Sequence, residues 1–194
     1  MNIQNNIINI KHRKVANDTI YTPKPIALKL IEMCDLKAGD TVLDSSYGGG
    51  VFYENFPDYV SKDWCEIEKG RDFFEYNQNV DCIISNPPFS LFNKWVEHTT
   101  KLTDKIGLVL GMCCLTPKRL NILLSQGFFM TKLHICDINW WFGHSYLVVF
   151  EKNKNNTPLS LTVDIKPINC DICGKNCKRG RQGNNPNICT NIPI

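Results

Sequence analysis

No run in this sequence approaches the ~20 consecutive apolar residues that a membrane-spanning helix requires. The first residues, MNIQNNIINIKHRK, lack the unbroken apolar core and small-residue cleavage site of a secretory signal. No segment repeats. Together these gaps argue against a membrane-embedded, exported or solenoid protein and predict an intracellular setting. Neither apolar nor charged residues are scarce, at 43% and 21%, the balance of a soluble globular domain. With 194 residues the chain is long enough for one domain and a small appendage. Cysteine is the residue in plenty. Ten are present, and inside a cell they read as reduced thiols or metal ligands rather than disulfides.

Charge is unevenly spread. Residues 1–151 carry 15 Lys and Arg against 17 Asp and Glu, a net −2, whereas residues 152–194 carry 7 against 2, a net +5. A basic end of this kind hints at a polyanionic partner.

Residues 1–20 read as an irregular arm. PKPIALKLIEMC (23–34) reads as a helix, with Thr22 as a candidate cap, an early proline, and Ile26, Leu30 and Ile31 at helical spacing. KAGDTVLDSS then gives a turn and a short buried strand ending at Asp44, and YGGGVFYENF a glycine turn opening into a short helix. Further strands are expected at DWCEI (63–67), VDCIIS (80–85) and KIGLVLGM (105–112), and helices at LFNKWVEHTTKL (91–102) and TPKRLNILLSQ (116–126). KLHICDI and SYLVVFEK close the series around the aromatic connection NWWFGH. Strands alternating with helices predict an α/β domain, with a mostly parallel sheet covered on both faces. The last close pair predicts a terminal antiparallel hairpin. The expected organisation is an arm (1–20), a main α/β domain (21–152), a linker (153–165) and a cysteine-rich tail (166–194).

Three features fall at expected strand ends. In LDSSYGGGVF an apolar strand runs into Asp44, and Gly48, Gly49 and Gly50 lead into a helix, either as a plain turn or as a loop on which a ligand can lie closely. Glu66 follows about twenty residues later, the distance at which an acidic residue holds a ribose hydroxyl in nucleotide-binding folds; a solvated carboxylate is the simpler alternative. In GRDFFEY, Asp72 precedes Phe73, a pair that suits an adenine amino group and ring or an ordinary turn over core phenylalanines. A fourth feature is odder. In DCIISNPPFSLF (81–92) a buried strand runs straight into Asn86, Pro87, Pro88 and Phe89. Proline locks φ, and Pro87 restricts Asn86 as well. The chain is held stiff where α/β sheets collect their ligands.

In this order, YTP (21–23), DSSYGGGVF (44–52), EI (66–67), DFF (72–74) and NPPF (86–89), the sequence resembles the amino-methyltransferases, most nearly the small phage- or virus-type DNA N6-adenine methyltransferases. The resemblance covers roughly residues 18–152, and NPPF is its specific part. It implies a Rossmann-like methyltransferase fold and S-adenosylmethionine as cofactor. Tyr21, Thr22, Pro23, Asp44, Gly48, Gly50, Glu66, Asp72 and Phe73 would bind that cofactor. Asn86, Pro87, Pro88 and Phe89 would form the catalytic turn. It also implies nucleic acid, DNA foremost, as substrate. Related enzymes that modify an RNA base amine share NPPF, and an inactive nucleic-acid-binding scaffold is the reading outside enzymology. Three departures stand out. Ser45 replaces the proline usual after the motif aspartate. The stretch between Glu66 and Asp81 is short by one peripheral helix. No long recognition domain follows residue 152.

The catalytic residues the resemblance implies make chemical sense. An adenine amine is a poor nucleophile because its lone pair is delocalised into the ring. The Asn86 side-chain oxygen and the Pro87 carbonyl would accept its hydrogens and localise that pair. Fixed acceptors of this kind are electrostatic preorganisation. Phe89 would stack on the base, a contact worth about 1–3 kcal/mol, and a target inside a duplex would be flipped out first.

The tail reads separately. Cys170, Cys173, Cys177 and Cys189 can close a tetrahedral structural zinc (Zn²⁺) site around a segment too small to build its own core. Four free thiols in a disordered tail are the alternative. Lys175, Lys178, Arg179 and Arg181 lie between the second and fourth of these cysteines. Cysteines 34, 65, 82, 113, 114 and 136 read as small buried hydrophobes. Trp140, Trp141 and Phe142 suit either hairpin packing or a clamp on a flipped base. Lys118 and Arg119 suit phosphate contacts or a solvated helix face, and His144 a structural role.

Overall fold

Alternation of apolar residues along four short runs sets the core. In a computed structural model of the protein, residues 21–111, 114–137 and 144–163 are described. Strand β1 (Thr41–Asp44) sends Val42 to one face of a sheet and Leu43 to the other, and β3 (Cys82–Ser85) does the same with Ile84 and Ile83. Helix α1 (Lys24–Met33) covers the first face with Ile26, Ala27, Leu30 and Ile31. Helices α2 (Phe92–Thr99) and α3 (Pro117–Ser125) lie on the second, where Phe92, Trp95, Val96 and Leu123 are buried. The result is the three-layer α/β arrangement expected from the strand–helix alternation.

The remaining strands are β2 (Ser61–Trp64), β4 (Lys105–Gly111), β5 (Phe128–Asp137), β6 (His144–Lys152) and β7 (Ser160–Val163). The sheet order is β2-β1-β3-β4-β6-β5-β7. β1 pairs in parallel with β2 and β3, and β3 with β4, while β6 runs antiparallel between β4 and β5. Gly107 of β4 faces α1 so closely that a Cβ there would lie 2.5 Å from Cys34 Sγ. The helix can sit against the sheet only because that position is glycine.

Four details differ from the sequence reading. Thr22 does not cap α1; the N-cap residue is Pro23, with no side-chain cap bond. β2 stops at Trp64, two residues short of Glu66. The antiparallel pair is not the end of the sheet, because β7 adds to β5 in parallel, and β7 lies within the stretch 153–165 read as linker. Its residues escape pattern analysis because they are few and exposed. Between Glu66 and Asp81 there are only two single turns of 3-10 helix, at Ile67–Lys69 and Phe73–Glu75, and among the described residues the sheet ends at β2. Cys34, Cys65, Cys82, Cys114 and Cys136 are buried free thiols, as their apolar settings predicted. Among the described residues no helix is long and apolar enough to cross a membrane. Cys113, the NWWFGH aromatics Trp140, Trp141 and Phe142, and the tail cysteines Cys170, Cys173, Cys177 and Cys189 lie outside the described residues.

Candidate active site

β1, β2 and β3 are neighbours running the same way, so their carboxyl ends open onto one place. A cavity of about 660 Å³ lies there, within the size range of small-molecule and cofactor sites. Its wall includes Tyr21, Thr22, Gly48 and Gly49, then Glu66, Asp72 and Phe73, then Asn86 and Pro88. All five sequence motifs are thereby represented in one space. Pro23, Gly50, Pro87 and Phe89 do not line it. Pro23 opens α1, Pro87 is buried, and Phe89 is half-buried against the core cluster under α2.

Asp44 sits behind the wall, fully buried. Its Oδ1 accepts from the Ser46 amide (3.2 Å) and the Ser85 hydroxyl (3.1 Å). Its Oδ2 makes no hydrogen bond of ordinary geometry among the described residues, and the Tyr53 backbone N–H is a nearby donor to the carboxyl. Burial pushes the carboxyl up to about 7, against the pull of the Ser46, Ser85 and Tyr53 groups.

The glycine loop is held from two sides. The Gly48 amide donates to Glu66 Oε2 at 2.7 Å, and the Tyr47 amide to the Cys65 carbonyl at 2.9 Å. Glu66 thus ties the loop to the end of β2, and its carboxylate keeps further acceptor sites for a ligand. Gly50 takes φ +81°, and a Cβ there would meet the Tyr47 hydroxyl at 2.5 Å, so it shapes the loop without lining the cavity. A Cβ on Gly49 would press to 3.0 Å from the Tyr21 ring, which lies across the loop. Asp72 caps its own 3-10 turn, with Oδ1 accepting from the Phe74 amide at 2.8 Å. Phe73 stacks on Trp95 (centroids 5.6 Å apart) and meets the His98 ring edge-on at 4.9 Å.

Sequence reasoning missed several residues of this wall. Tyr47, Lys69, Leu91, Ser45 and Trp95 all line the cavity. Trp95 donates its indole N–H to Ser45 Oγ at 2.9 Å, across 50 positions of sequence. The one signal for it was that Ser45 stands where a proline was expected. Arg119 does not face outward for phosphate. Its guanidinium bonds the Asn93 side chain (3.0 Å) and the Cys114 carbonyl (3.2 Å) and lies over Phe92, while the neighbouring Lys118 is exposed. Among the described residues no cluster of His, Cys, Asp and Glu is built to hold a metal.

Comparison with known proteins places this geometry in a fold class. No protein-family profile matches the chain, and no curated protein matches it in sequence. Solved structures do. A protein from Listeria monocytogenes classed as a class I S-adenosylmethionine-dependent methyltransferase superposes with a TM-score of 0.58 at 11% identity, over 83% of this chain and 71% of that one. A chain of a type I R-M system complex gives 0.57 at 13% identity over 84% of this chain and 48% of its own. The 23S rRNA methyltransferase ErmE gives 0.56 at 15% identity, over 70% of each. The chain therefore has the Rossmann-like fold of the class I S-adenosylmethionine-dependent methyltransferases.

Proposed function

We propose that the protein transfers a methyl group from S-adenosylmethionine to the N6 amine of adenine in DNA. The observation that carries this reading is the single cavity into which the glycine loop, Glu66, Asp72 with Phe73, and Asn86 with Pro88 converge. The residues present fit the cofactor: a glycine loop open to close approach, a carboxylate just past the end of β2 for a ribose, and an aspartate and phenylalanine for a purine. Tyr21, Thr22, Gly48, Glu66, Asp72 and Phe73 would hold it, with Asp44 supporting the loop from behind. When bound, the cofactor supplies an electrophilic methyl on a sulfonium.

The chain's own part is positioning. The Asn86 side-chain oxygen and the Pro87 carbonyl would accept hydrogen bonds from the two amine N–H groups and localise the lone pair, with both prolines denying the turn any slack; one N–H proton is released to solvent once the nitrogen is methylated. Phe89, beside Pro88, meets the base outside the cavity wall. Orientation of the reacting atoms then lowers most of the barrier.

The tail supplies the grip. β7 runs parallel to β5, and β5 parallel to β4, so β7 ends at the same side of the sheet as the catalytic turn. The described chain thus ends at Val163 on that side, and residues 164–194, which follow in sequence, carry an excess of basic residues and the four cysteines assigned to zinc. Removing residues 164–194, and leaving β7 intact, should preserve cofactor affinity and weaken DNA binding in a salt-dependent way. Purified full-length protein should contain about one zinc per chain, lost when two of the four cysteines are replaced.

The deciding experiment is transfer of labelled methyl from S-adenosylmethionine to DNA, RNA and protein, followed by nucleoside analysis. Label in N6-methyladenine of DNA is the expected result. The likeness to ErmE favours RNA as the second reading, and label in an RNA base would establish it. No transfer to any of the three would leave the scaffold reading in place of both.

A further inference from the structure

We infer that Trp95 is a positioning residue that sets the glycine loop and the Asn86 turn in register, through its hydrogen bond to Ser45. The inference rests on the methyltransferase reading above. Besides Tyr21 and Thr22, three strand-end segments wall the cavity: the loop after β1, the loop after β2 and the turn after β3. Backbone bonding ties the first to the second through Tyr47 and Cys65. From the first to the third, the link runs through side chains: Ser85 to Asp44, and Trp95 to Ser45.

Trp95 touches the first two and is joined to the third through its helix. Its N–H reaches Ser45 beside Asp44, its ring stacks on Phe73 beside Asp72, and it stands on α2, which follows the catalytic turn after a single 3-10 turn at Phe89–Leu91. That connection has little room to stretch, so the place of α2 fixes the place of Asn86. Trp95 is buried, and a buried indole N–H must find an acceptor or leave a costly unsatisfied donor. Proline at position 45 would offer no side-chain acceptor. The serine and the tryptophan are explained together as one device, and neither is explained alone.

Methyl transfer depends on the reacting atoms being held within about 3–3.5 Å in line, so register between these two loops bears directly on turnover. The test uses full-length protein with Trp95→Phe, which keeps the ring stack and loses the N–H, and Ser45→Ala, which removes the acceptor with minimal change in volume. Turnover is measured at saturating cofactor and substrate, well below the melting temperature, and S-adenosylhomocysteine affinity by calorimetry. Each single variant should lose about fivefold or more in turnover, the scale of one buried hydrogen bond. The double variant should be no worse than the worse single, because both remove the same bond. A purely structural bond would lower the melting temperature and leave saturated turnover intact. That result, or losses that multiply in the double variant, overturns the inference. If the wild type binds S-adenosylhomocysteine but methylates nothing, the methyltransferase reading falls, and the coupling is read from affinity alone, where the same non-additivity must appear. A wild type that binds no S-adenosylhomocysteine overturns both.

Discussion

The two halves of the sheet are built to different rules. β1, β2 and β3 have four residues each, whereas β4, β6 and β5 have seven, nine and ten. In the long half the ladder is continuous from Lys105 to Gly111 against Glu151 to Ser145, and four successive residues of β6, Leu147 to Phe150, are buried between the helical layers. In the short half the strands stop early, and side chains continue the job: Ser85 to Asp44, Trp95 to Ser45, Glu66 to Gly48. The continuous ladder lies in the long half, and the cavity opens where the short strands break off. An early strand end frees backbone and side chains to face a ligand, while its neighbours keep it from drifting.

The largest effect should come from the one buried acid of the short half. Asp44 holds its proton up to about pH 7 in the folded chain and releases it near 3.8 when unfolded. Near pH 4 and below, burial carries little penalty. As pH rises from 4 to 7 the unfolded chain gives up a proton that the native state retains, so stability from this group is lost. Asp44→Asn should remove that slope. Its advantage over wild type should grow from near zero around pH 4 to at most about 4 kcal/mol above pH 7, while S-adenosylhomocysteine affinity falls. Denaturant unfolding of cofactor-free protein at both ends of the range is the check. A pH-independent difference would mean that Asp44 is not carrying the penalty.

Leu147→Ala tests the other half. Leu147 is fully buried in the long strands, and its truncation should cost about 3 kcal/mol of stability. Cofactor affinity, measured where the variant is still folded, should stay within about twofold of wild type. Affinity that falls in step with stability would show that the halves are not separable in energy.

The smallest of the three changes touches the reaction itself. Asn86→Ala should cut saturated turnover at least tenfold, or about 1.4 kcal/mol, with little change in cofactor affinity or melting temperature. Near-normal turnover would reduce the two prolines to a stiff way of ending a strand.

Much of this was legible in the sequence, and for a physical reason. Buried strands are read from apolar runs, so the ends of β1 and β3 at Asp44 and Ser85–Asn86 could be placed from TVLD and CIIS. β4, β6 and the three described helices follow from their apolar pattern in the same way, whereas β5 starts at Phe128, four residues before the expected KLHICDI. Other features leave no such trace. β2 was drawn through Glu66, but that carboxylate turns back to the Gly48 amide, a contact made across the sheet. β7 is four residues of mostly exposed chain in polar surroundings, and it is a strand only because β5 offers it a partner. The basic Arg119 looked like a phosphate ligand until Asn93 and the Cys114 carbonyl took its donors. The pairing of Trp95 with Ser45 depends wholly on the fold having formed.

The sheet's early finish at β2 has a consequence for solubility. A strand with one side unpaired invites another chain to add itself there, and short, charged strands resist this. β2 is four residues long, and its Ser61 and Lys62 are exposed. The Lys62 ammonium lies over the Tyr53 ring at 4.9 Å. Arg71 lies over Trp64 at 4.3 Å and pairs with Asp63 at 2.6 Å, so the aromatic surface at this border is roofed by fixed charge. Among the described residues, the sheet edge at β2 is therefore short and charged, features that resist edge-to-edge aggregation.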